Sequence, residues 1–161
     1  MSEMTLGGFA LKLLEMEVAT VLSLKAGLHA VAEKVENTAK DKIGHYQLES
    51  GPFPAWAELA DSTKADRMNK GYDPDEPLLR EGTLRDSIVH EVEGLEAIIG
   101  SKSDIAVYQE FGTARIPPRP FIGPAAFENR HKIEAIIGLA TITGLTLGKA
   151  IPSELGYDIS K

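Results

Sequence analysis

Between residues 14 and 43 apolar side chains recur every three or four positions, with Leu24, Leu28, Val31, Val35, Ala39 and Ile43 on one line. That spacing predicts one stripe of a long, proline-free helix, with Lys25, Glu33, Lys34, Glu36, Lys40 and Asp41 mostly on the other face. Upstream, Phe9-Ala10-Leu11-Lys12-Leu13 partly alternates and fits either a short strand or the helix's first turns. Gly51, Pro52 and Pro54 end the helical pattern in a loop over residues 47–56. A short helix follows from Asp61, read as its N-cap, to about Lys70, with Gly71 placed to end it. Asp73-Pro74-Asp75-Glu76-Pro77 then forms a stiff acidic connector. Residues 88–92 and 97–100, separated by Glu93-Gly94-Leu95-Glu96, read as a β-hairpin. A helix over residues 104–111 is closed by Gly112, and prolines 117, 118 and 120 make a bend. After Pro124, Ala126, Ile133, Ile136, Ile137 and Ala140 restore helical spacing to about Ala150, where Pro152 argues for a stop.

These elements add up to an α+β fold: a long N-terminal helix and a C-terminal helix packed on a small, mainly antiparallel sheet. We read residues 1–161 as a single domain with an N-terminal helical region (1–46), a central α+β core (47–125), and a C-terminal helix and tail (126–161).

Composition narrows the function classes. The chain has no cysteine, which removes disulfides, thiolate catalysis and the usual structural zinc sites. Its net charge of −7 is opposite in sign to that of a protein that binds nucleic acid by neutralising phosphates. Met1-Ser2-Glu3-Met4 lacks the basic start of an export signal. The longest uncharged run, residues 135–148, falls short of the ~20 apolar residues a membrane crossing needs, so no membrane partner is expected.

The usual signatures of chemistry are missing. His29, His45, His90 and His131 have no second histidine one helical turn away, so each reads as structural or surface and no metal site is expected. The acidic connector lacks the glycine a calcium loop needs at its sharp turn. No nucleophile elbow, phosphate loop or dinucleotide fingerprint occurs, and Ser87 and Thr113 stand alone as candidate nucleophiles. Arg67, Lys70, Arg80 and Arg85 form a local basic group, which we assign to ion pairs between subunits ahead of a DNA contact.

Four segments form one ordered pattern: Trp56-Ala57-Glu58-Leu59; Leu78-Leu79-Arg80-Glu81-Gly82-Thr83-Leu84-Arg85-Asp86-Ser87-Ile88; Tyr108-Gln109-Glu110-Phe111-Gly112-Thr113; and Pro118-Arg119-Pro120-Phe121-Ile122-Gly123-Pro124-Ala125. Together they resemble the tailed-phage neck and tail-completion proteins, the lambdoid gene-product-ten-like family. Glu81 departs from the threonine or serine usual before the glycine, and residues 138–156 do not align.

The resemblance implies a non-enzymatic virion protein without a cofactor. It would form a ring of identical subunits, six by expectation, where head meets tail, and would be located in the virion and, during assembly, the host cytoplasm. Its implied partners are other neck and tail proteins (head-closure, tail-terminator or tail-tube), with DNA only as cargo passing through the lumen. The implied subunit-interface residues are Tyr108, Phe111, Arg115, Pro118, Arg119, Pro120 and Phe121. Phe121, on a proline-stiffened loop, is expected to be an anchor offered to a neighbour, whereas Phe111 is at least as well placed in the subunit's own core. The rival classes are a DNA-binding or an enzymatic accessory protein of phage morphogenesis.

Overall fold

A computed structural model describes residues 5–147, which form six helices and one two-stranded sheet. Helix α1 (Leu6–Lys42) opens well before the stripe that predicted it, because Thr5 caps it, its hydroxyl accepting the Gly8 N–H at 3.1 Å. The Phe9–Leu13 stretch, open to two readings by periodicity, is therefore helix. Next come α2 (Asp61–Asn69) and α3 (Thr83–Asp86), a single turn without a sequence signal of its own. Strands β1 (Ile88–Glu93) and β2 (Glu96–Ser101) pair through a turn at Gly94 and Leu95 that is tighter than the expected four residues. Helices α4 (Asp104–Phe111), α5 (Ile122–Glu128) and α6 (Arg130–Leu145) complete the order. The architecture is α+β and dominated by helix, with a long N-terminal helix, a C-terminal helix and a two-stranded antiparallel sheet.

Two details differ from expectation for stated reasons. Asp61 lies inside the first turn of α2 and Ala60 holds the cap position, so Asp61 acts on the helix end by charge and not by a capping bond. The expected C-terminal helix is two helices broken at Asn129. The buried Asn129 side chain donates to Thr38 Oγ1 at 2.9 Å and to the Ala125 carbonyl at 2.8 Å, bonds unavailable to an exposed helical residue. The expected stop near Pro152 lies outside the described residues.

The chain divides into two compact units. Among the described residues, one gathers residues 5–31, the hairpin tip Val92–Ala97 and residues 131–147. In it α6 lies tightly against α1: a Cβ at Gly144 would meet the Thr20 Cα at 2.3 Å, and one at Gly27 the Ala140 Cβ at 2.9 Å. Only glycine allows that approach.

The other unit, Ala32–Glu91 with Ile98–Arg130, holds most of the core. Ala32, Val35 and Ala39 of α1, and Ile43 just past its end, are buried there with Trp56, Leu84, Ile88, Ala106, Phe121 and Ala125. Lys42 is also buried, its ammonium between both oxygens of Glu128 at 2.8 Å. Burial alone would raise the Glu128 carboxyl, but bonds from Lys42 and Ser50 outweigh it and hold the group below its ordinary range. Glu36 in α1 bonds both Lys40 and His90 of β1.

Candidate functional site

The four segments, spread over residues 56–125, meet around one open cleft of about 710 Å³ in the second unit. Glu58 and Leu59 come from the first segment; Leu78, Arg80, Glu81, Gly82, Thr83 and Leu84 from the second; Gln109 from the third; and Arg119 from the fourth.

The joints between the segments are polar bonds made by buried groups. Trp56 Nε1 donates to the Pro120 carbonyl at 3.0 Å. The buried Arg119 guanidinium donates to the carbonyls of Ala57 at 2.8 Å and Glu58 at 3.0 Å, and its backbone N–H reaches the Gln109 carbonyl. Burial pushes the Arg119 pKa down and nearby Tyr46 opposes the shift, but an arginine stays charged throughout the ordinary pH range. The Glu110 carboxylate accepts the backbone N–H groups of Phe121 at 2.8 Å, Ile122 at 3.1 Å and Gly123 at 2.8 Å. That carboxylate satisfies orphan donors at the start of α5, which has no side-chain cap of its own. Gly112, at φ +73°, lets the chain turn so closely that a Cβ there would lie 2.9 Å from the Ile116 carbonyl oxygen and the Pro118 nitrogen.

On the opposite wall, buried Arg67 holds the acidic connector in shape. Its Nε donates to the Asp73 carbonyl at 2.6 Å and its Nη2 to the Leu79 carbonyl. Between them Leu78 sits at φ +64°, a conformation unusual outside glycine that the surrounding bonds enforce. Arg67 and Arg119 both lack a carboxylate partner among the described residues, and Gln109 Oε1 is buried without a hydrogen-bond partner. Arg67, Arg80, Arg115 and Arg119 against Glu58 and Glu81 leave the cleft net positive in an acidic chain. Such walls suit a chain segment that brings acceptors to the guanidiniums and a donor to Gln109.

The expected interface residues separate into two groups. Tyr108, Phe111, Arg115 and Pro118 are exposed, Phe111 at 78%. Arg119, Pro120 and Phe121 are buried, Phe121 at 0%. The two phenylalanines thus exchange the places expected of them. The prolines do stiffen the loop, but Glu110 and Trp56 bind its backbone and draw it inward, so Phe121 fills its own subunit's core.

The basic group makes its bonds within the chain. Lys70 and Arg80 both pair with Asp66, Arg85 pairs with Asp86, and Arg67 is the buried clamp. The Ser87 hydroxyl bonds the Leu84 carbonyl and Ser101, and Thr113 Oγ1 accepts the N–H groups of Arg115 and Ile116, so both hydroxyls shape turns. Among the described residues no cluster of His, Asp and Glu has the makings of a metal site, and no helix is long and apolar enough to cross a membrane. Sequence reasoning missed Arg67 as a clamp and Glu110 as a cap. An arginine in a short helix gives no sign of burial, whereas the Glu110 position beside Phe111-Gly112 was at least within a marked segment. No family model, curated protein or solved structure matches this chain.

Proposed function

We propose that the protein is a structural subunit of a tailed-phage virion that forms a ring at the junction of head and tail and acts by assembly, not catalysis. The observation that carries this reading is the state of the third segment. Its backbone is locked to the cleft by Glu110 and Gly112, yet Tyr108 and Phe111 are held out in solvent on α4. A rigid mount that presents unpaired aromatics costs solubility and gains nothing for an isolated subunit, and it suits one that meets another protein surface. Copies of the same chain are the simplest partner, with neck and tail proteins above and below and DNA as passing cargo.

The test is the mass of the purified protein by light scattering, followed by imaging of intact virions carrying a labelled subunit. A closed oligomer, with label at the head–tail junction, is the expected result. A strict monomer whose label lies elsewhere in the virion, or outside it, overturns the reading.

A further inference from the structure

A ring closes only through a heterologous interface, in which two different patches of one subunit meet the complementary patches of its neighbours. Two unpartnered apolar patches stand out on the described surface, one in each unit.

The first is on α1. Leu11, Leu14, Val18, Val21 and Leu22 are 43% to 64% exposed, and at 100° per residue they fall within an arc of about 100°. Thr20 and Gly27, which touch α6, lie on the other side of the helix, so α6 does not cover this stripe. The second patch is on α4, where Ile105, Val107, Tyr108 and Phe111 are 53% to 78% exposed and turn away from buried Ala106.

We propose that the α1 stripe of one copy docks on the α4 face of a second copy, head to tail around the ring. The inference rests on the ring reading above. Area and charge support this occupant. At roughly 100 Å² per large apolar side chain, the two patches together approach the ~1,000 Å² that specific association requires, and flanking residues add to it. The α1 stripe has Glu17 and the Lys12-paired Glu15 at its rims and exposed Lys25 in line with it, while exposed Lys102 and Arg115 flank α4 and exposed Asp104 lies on its apolar face, so each charge on one patch finds an opposite charge on the other. Glu17, Lys102 and Arg115 have no ion-pair partner among the described residues.

Because the chain has no cysteine, engineered thiols report the contact cleanly. Leu14→Cys and Phe111→Cys are made as separate proteins; both positions are exposed, so both variants should fold. They are mixed and oxidised with a copper catalyst in air. A disulfide forms only where the two Cα atoms approach within about 7 Å. The expected product is a linked heterodimer, several-fold more abundant than either homodimer, and the double variant should give a ladder of linked species ending at the ring.

Homodimers of Leu14→Cys alone, formed as readily, would establish a symmetric α1 pair and overturn the proposal. If wild type self-associates by light scattering while the mixture stays unlinked, the ring reading survives and this contact is wrong. A wild-type chain that stays monomeric at high concentration removes both.

Discussion

Phe121 and Phe111 stand ten residues apart in one chain and should respond oppositely to the same substitution. Phe121 is fully enclosed, so Phe121→Ala leaves a cavity and should cost about 3–5 kcal/mol. Phe111 has most of its ring in water, and Phe111→Ala should stay within about 0.5 kcal/mol of wild type. Thermal unfolding of the isolated subunit decides between them; equal losses would mean that Phe111 is packed in the subunit after all.

Glu36 offers a second test at this scale. Burial alone would raise its carboxyl, yet hydrogen bonds from Lys40 and His90 outweigh burial and hold it below the usual 4.5. A carboxylate depressed in the folded state gives stability that is full above its unfolded pKa and is lost as pH falls through the folded one. Glu36→Gln should therefore lower the denaturation midpoint at neutral pH, with the gap from wild type closing below pH 4.5. A gap that persists unchanged in acid would point to lost packing instead of lost charge.

At the level of elements, the link between α4 and α5 depends on one carboxylate. Glu110→Gln keeps the size of the side chain but leaves one acceptor oxygen for three backbone donors, so at least one part-buried N–H loses a partner. The expected cost is about 1–3 kcal/mol, with faster amide exchange at Phe121, Ile122 and Gly123. Exchange that speeds up everywhere equally would show a general loss of stability and no capping role.

Elements were legible where local pattern and packing agree. Of the stripe read from spacing alone, Val31, Val35, Ala39 and Ile43 are buried and Leu24 and Leu28 half-buried, and the hairpin and α4 lie where alternation and Gly112 put them. Boundaries were less legible where a tertiary bond decides. The Asn129 break depends on Thr38, 91 positions away, and no local spacing announces it. The burial of Phe121 was missed for the same reason: proline content reports a stiff loop but not the direction in which the loop is pulled.

At the scale of the whole molecule, the four segments picked out together in the sequence line one cleft, while the bonds that join them come from side chains whose partners are backbone carbonyls and N–H groups. Such partners leave no trace in residue type, so the site was legible as a set of positions and not as a mechanism. The surface gives the last prediction. If copies meet through the apolar faces of α1 and α4, self-association depends on removing hydrocarbon from water, with ion pairs at the rim as minor terms. Raising salt from about 0.1 to 1 M shortens the screening length from about 10 to 3 Å and should leave the oligomer intact. Cooling should loosen it, because the hydrophobic contribution weakens at low temperature. If copies met instead through the arginine-lined cleft, the order would reverse: salt would dissociate the oligomer and cooling would matter little. Sedimentation at both salt concentrations and two temperatures separates the cases. An oligomer that falls apart in salt but holds in the cold would place the contact at Arg80 and Arg115, not on the helices.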